Sequence, residues 1–177
     1  MNYHDITKDD MLNGDGLRVV LWVAGCEHHC KGCQNPLTWD PNGGLIFDKK
    51  AEEELLAELQ KPYISGITFS GGDPLHPSNR VTVLRLASLA KYLYGKTVWL
   101  YTGYSWEQIN RMPGIENFDV IVDGKFEQEL ADITYPWAGS TNQRIIDVKK
   151  SLEMGCAIRH KTHNSYLEDR EVKKNEN

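Results

Sequence analysis

The sequence has no long hydrophobic run. Its longest apolar stretch is Val19 to Ala24, far short of the ~20 residues that cross a bilayer as a helix. It has no basic excess either. Asp and Glu total 25 against 20 Lys and Arg, for a formal charge of −5, which argues against nucleic acid as the main partner. Met1 to Asp10 is polar and carries acids, unlike the basic head and apolar core of a secretory signal. No internal repeat is found. Cysteine is scarce, with four in 177 residues, and three clustered thiols cannot all pair with one another in a reducing cytosol. A disulfide framework is therefore not what holds this chain. What is present suffices for a core: hydrophobic residues are 40% and aromatics 10%, in a chain long enough to fold without cross-links. The expectation is a soluble, cytoplasmic protein with one domain over 1–166. From Leu167 the sequence LEDREVKKNEN is charged and without an apolar stripe, which reads as a solvated tail over 167–177.

Strands and helices alternate along the chain. Arg18 to Ala24, Tyr63 to Ser70, Thr97 to Tyr101, Phe118 to Val122 and Arg144 to Val148 read as strands. Lys49 to Gln60, Val81 to Leu93 and Trp106 to Arg111 read as helices. This order predicts an α/β fold with a mainly parallel sheet. Four polar or glycine-rich segments follow strands: the cysteine loop, GGDP, TGYSW and DGKF. Ligands in such sheets bind at the carboxyl ends of strands, so the four loops are expected to share one site. Trp22 and Trp99 lie within strands and read as core.

Cys26, Cys30 and Cys33 form C-x3-C-x2-C. Soft thiolates in close spacing suit either an iron–sulfur cluster or zinc. A 4Fe–4S cluster usually takes four thiolates, so three leave one iron open. The zinc alternative is a Cys3His site using His28 or His29, or ligands from Cys156, His160 and His163 folded back. With a cluster in place, His28 and His29 read as solvated loop residues and Cys156 as a small core residue or a bystander. The Ser70-Gly71-Gly72-Asp73-Pro74 segment suits an ordinary tight turn. It equally suits a close backbone approach to a ligand, with the acid accepting from a cationic amine. Thr102 ends a strand where a cofactor site would be lined. Asn142 and Arg144 suit either a polar turn or contacts to a carboxylate and ribose.

The triplet after the first apolar strand of an α/β chain resembles the radical S-adenosylmethionine superfamily. That resemblance implies a partial (β/α) barrel in which Cys26, Cys30 and Cys33 hold a 4Fe–4S cluster. The amino and carboxylate groups of S-adenosylmethionine would then chelate the open iron. Ser70, Gly71, Gly72 and Asp73 resemble the superfamily's glycine-glycine-acid motif, which binds the amino group; Asp73 is shorter than the usual Glu. Thr102, Asn142 and Arg144 complete the cofactor-binding candidates, and no residue is singled out as catalytic. Many members carry an aromatic residue before the third cysteine, where this chain has Gly32.

The segments CEHHCKGCQNP, TFSGGDPL, VWLYTGYSWE, DVIVDGKF and GSTNQRIIDV are similar, in the same order, to the activating proteins of anaerobic ribonucleoside-triphosphate reductases. Glycine before the third cysteine is usual there, and Thr141 to Arg144 is the most discriminating stretch. The resemblance implies a mechanism. A reduced cluster passes one electron to S-adenosylmethionine, the S–C5′ bond breaks, and methionine and a 5′-deoxyadenosyl radical form. That radical takes a hydrogen atom from a glycine of the reductase's large subunit. The implied electron donor is a flavodoxin or ferredoxin. Two other readings stand beside it: a radical S-adenosylmethionine enzyme acting on a small molecule, and a zinc-stabilised interaction module. The chain leaves little sequence for a lid over a small substrate, which suits a macromolecular one.

Overall fold

The computed structural model describes residues 1–161; the expected tail over 167–177 and His163 lie outside the described residues. The elements are β1 (Asn2–Asp10), β2 (Arg18–Val23), β3 (Leu45–Ile46), α1 (Lys49–Leu59), β4 (Gly66–Gly71) and α2 (Arg80–Ser88). They continue as β5 (Thr97–Tyr101), α3 (Trp106–Ile109), β6 (Val120–Asp123), β7 (Arg144–Asp147) and α4 (Val148–Met154). The strands form one seven-stranded sheet in the order β3-β1-β2-β4-β5-β6-β7. It is open, with β3 and β7 at its edges.

The α/β class is as expected, but the sheet is mixed rather than mainly parallel. β2, β4, β5 and β6 run parallel. β1, β3 and β7 run antiparallel to their neighbours. The reason lies in the connections. Parallel neighbours need a long crossover, usually a helix, and α1, α2 and α3 supply one between each central pair. β1 enters β2 through a short loop, so that pair must be antiparallel. β1, β3 and α4 are additions to the sequence reading. β1 is NYHDITKDD with only Ile6 buried, so it carries no apolar run. The helix expected over 81–93 is α-helical to Ser88 and then π-helical over Leu89–Leu93.

Alternation along the strands divides the sheet into two faces. Val19, Leu21, Val23, Ile67, Phe69, Val98, Leu100, Ile121 and Ile146 pack in one cluster with Leu55, Leu59, Val83, Leu86, Trp106, Ile109 and Val148. All four helices thus bury their apolar residues against that face. The other face carries Trp99, Val120, Val122 and Ile145, covered by Tyr135, Trp137 and Ala138. No helix of the described residues is long and apolar enough to cross a membrane.

Helix ends are set locally. The Asp48 carboxylate accepts from Ala51 N, and Asp147 accepts from Lys150 N, each closing an N-terminus. Arg18 is fully buried on the second face. It donates to Thr68 Oγ1, Thr97 Oγ1 and the carbonyls of Asp15, Ile67 and Thr97, and it lies over the Trp99 ring. Burial lowers its pKa to about 10. Thr68 Oγ1 in turn donates to Asn13 O, tying the β1–β2 loop to this face.

Candidate functional site

A cavity of about 350 Å³ opens on the second face. Cys26, Cys30 and Cys33 follow β2, Ser70 to Asp73 close β4, Thr102 and Gly103 follow β5, and Gly124 and Phe126 follow β6; all line it. The four strand-end loops therefore do converge on one site. Trp22 and Tyr101 supply the sheet wall, and Ile133, Trp137 and Gln143 come from the connection between β6 and β7.

The cysteine loop is coiled tightly from its start. Gly25 N donates to Thr38 O at 2.7 Å and Cys26 N to Trp39 O at 3.0 Å. Cys33 N donates to Cys30 O at 3.1 Å, and Asn35 N points at Cys33 Sγ at 3.4 Å. Gly25, His29 and Gly32 take positive φ. The three thiols are free and half-buried, while Cys156 is free and exposed, so it is not a core residue. Burial pushes the Cys26 thiol up. The loop is clasped by the β6–β7 connection. Lys31 Nζ lies 2.9 Å from Glu129 Oε1. Gly32 takes φ +70, and a Cβ there would meet the Gln128 side chain at 2.7 Å, so any larger residue would strain the backbone and displace that side chain.

The glycine pair, on the cavity wall, also serves the packing of the two loops. Gly71 has φ +100, and a Cβ on Gly72 would lie 2.5 Å from Gly25 O and 2.8 Å from Thr38 O. The missing side chains let the end of β4 press against the backbone of the cysteine loop. Gly72 N and Asp73 N donate to Val23 O and Gly25 O across that contact.

Asp73 is buried among donors of its own chain. Its carboxylate accepts from Thr102 Oγ1 at 3.0 and 2.9 Å, from Gly103 N at 3.0 Å and from Leu75 N at 2.8 Å. His28 Nε2 stands 2.6 Å from its Oδ2. His28 is thus held rather than solvated, whereas His29 is exposed and sits edge-on to Trp39.

Asn142 and Arg144 are not on the cavity wall. Asn142 Nδ2 donates to Lys125 O and Glu127 Oε1. Arg144 forks onto Asp123 and Glu107 on the helix face. These two carboxylates hold the guanidinium above its usual pKa, and Arg144 holds Glu107 down to about 2. Gln143 reaches the cavity in their place. Its amide bridges Gly124 O and Gly139 N.

Sequence reasoning also missed four aromatic walls. Trp22 is partly exposed and lines the cavity, with Nε1 donating to Thr7 Oγ1; it is not core. Tyr101, Phe126 and Trp137 join it. Strict alternation was the available signal for two of them. Leu21 and Leu100 belong to the helix-side core, so Trp22 and Tyr101 must face the other way.

The donor chemistry fits an iron–sulfur cluster. Three free, half-buried thiols from one loop face one cavity, and a cluster takes each thiolate on a separate iron.

Comparison with known proteins agrees in extent. Residues 12–146 match the family model described as a 4Fe-4S single cluster domain. The anaerobic ribonucleoside-triphosphate reductase-activating protein of Enterobacteria phage T4 is 44% identical over 146 residues, 82% of this chain and 93% of that protein. The protein of the same name from Escherichia coli K12 is 42% identical over 148 residues, 81% of this chain and 96% of that protein. That of Vibrio cholerae is 41% identical over 150 residues, 82% of this chain and 97% of that protein.

Proposed function

Because this chain belongs to the family of anaerobic ribonucleoside-triphosphate reductase-activating proteins, we propose that it installs a glycyl radical on the large subunit of such a reductase. It is an oxidoreductase that works with a 4Fe–4S cluster and S-adenosylmethionine. The observation that carries the reading is the meeting of three free thiols and the Ser70–Asp73 turn on one cavity.

Cys26, Cys30 and Cys33 would hold the cluster. When bound, the cluster supplies the electron for reductive cleavage of S-adenosylmethionine, from which removal of a hydrogen atom from the reductase glycine follows. The chain's own part is to hold and enclose. Ser70, Gly71, Gly72, Thr102 and Gln143 would face S-adenosylmethionine. Trp22, Tyr101, Phe126 and Trp137 would narrow the cavity and keep water from it. We read the open sheet, with helices on one face and the cavity on the other, as a half-barrel of radical S-adenosylmethionine type. A flavodoxin or ferredoxin is the expected electron donor, and the cytoplasm the expected compartment. Residues 1–166 would form the working domain.

The test is direct. Protein reconstituted without air should hold about four irons per chain, the nuclearity of this cluster type. Reduced and mixed with S-adenosylmethionine and the reductase, it should give a glycyl radical by electron paramagnetic resonance. Cleavage of S-adenosylmethionine with no radical on a competent reductase would point to a small-molecule substrate instead.

A further inference from the structure

We propose that Asp73 is a positioning residue whose carboxylate fastens the cysteine loop, through His28, to the ends of β4 and β5. This rests on the reading that the loop holds a cluster. His28 lies midway between Cys26 and Cys30, so whatever fixes its ring fixes the arc between two ligands. The ring is gripped on three sides. Nε2 donates to Asp73 Oδ2 at 2.6 Å. The Tyr104 ring meets it edge-on, centroids 4.7 Å apart. A Cβ on Gly103 would stand 2.3 Å from its Cδ2, so the backbone itself closes the third side. Exposure matches: 10% for the His28 side chain and 2% for Asp73.

Asp73 is rigid enough to serve as the anchor. Thr102 Oγ1, Gly103 N and Leu75 N occupy its remaining acceptor positions. Asn79 Nδ2 pins its backbone by donating to Asp73 O at 3.0 Å and to Ala24 O at 2.8 Å. A carboxylate so engaged ties three loops together at one point. Its effect on the cluster is indirect. A loop held in its ligating shape does not lose conformational freedom when it binds. Partners one step beyond the ligands typically change metal affinity or activity by roughly 10- to 100-fold.

The experiment uses the full chain, reconstituted without air and free of S-adenosylmethionine. The reading is the rate at which a ferrous chelator bleaches the iron–sulfur absorption. His28→Ala should bleach roughly tenfold faster, the lower end of that range. His28→Gln, which keeps a donor at similar reach, should return most of the way to the native rate. Asp73→Asn should also bleach faster, and the double variant should be no faster than the worse single one, because both remove one shared contact. A native rate for His28→Ala overturns the proposal. So do multiplying effects in the double variant. An Asp73→Asn protein that binds S-adenosylmethionine poorly yet bleaches at the native rate would assign Asp73 to the ligand amine and likewise overturn it. If Asp73→Asn does not fold, as circular dichroism would show, the two His28 variants decide alone. Failure of the native chain to take up iron would instead count against the cluster reading itself.

Discussion

Replacing Arg144 by alanine separates a brace from a ligand contact. Its Nε and Nη2 reach the two oxygens of Asp123 at 3.1 and 2.5 Å. Asp123 is 2% exposed and keeps one further donor, Trp106 N at 2.6 Å. Stripping one partner from a buried ion pair costs about 3–5 kcal/mol, because the remaining charge is left uncompensated. Arg144 is itself 32% exposed, so water would enter beside Asp123, and the cost falls to about 2–4 kcal/mol. Glu107 is 60% exposed, and its arm adds at most ~1 kcal/mol. A loss near 3 kcal/mol in a chain of this size lowers the melting temperature by roughly 6–12 °C. Urea unfolding of the metal-free protein should show the lower midpoint with an unchanged slope. Asp123→Asn in the same chain should recover part of the loss, since the stranded charge is gone. The affinity of the folded, cluster-loaded variant for S-adenosylmethionine should stay native. The reasoning fails if stability stays within ~0.5 kcal/mol of native, the range of an ordinary surface change, while that affinity drops.

Three other outcomes follow from the same geometry. Glu107 titrates at about 2 in the fold against an ordinary 4.5, so its contribution is complete above pH 4.5 and drains as pH falls towards 2; Glu107→Gln should flatten that part of a stability–pH curve. Gly32→Ala places a side chain at φ +70, which should cost about 1–3 kcal/mol, read as a lower urea midpoint. Cys156→Ser should leave iron content native, since that thiol is exposed and off the cavity, whereas alanine at Cys26, Cys30 or Cys33 should each deplete it.

The central strands were legible because they are buried on both faces and end at glycine or a polar turn. β1 was not, because a strand with one buried residue reads as polar chain. The converging loops were legible from strand order alone. The allocation of neighbours was harder. Asn142, Gln143 and Arg144 look alike as polar donors, and only the register of β7 against β6, with Asp123 opposite Arg144, sends Arg144 to the helix side and leaves Gln143 for the cavity. Asp73 and His28 are 45 residues apart, and no local pattern announces that they meet.

The two faces of the sheet differ greatly in what packs on them. The helix side carries the main core, whereas the cavity side rests on Trp99, Val120, Val122 and Ile145 under a few aromatic rings. Separate packing permits separate opening. Lifting the connection between β6 and β7 would expose only the smaller cluster and break the Lys31–Glu129 pair, leaving the helix-side core closed. Amide hydrogens there should therefore exchange with solvent through sub-global fluctuations, while those of β2, β4 and β5 wait for complete unfolding. A visiting polypeptide segment would then be admitted at the free energy of one small foldon, with the scaffold that carries the thiols undisturbed.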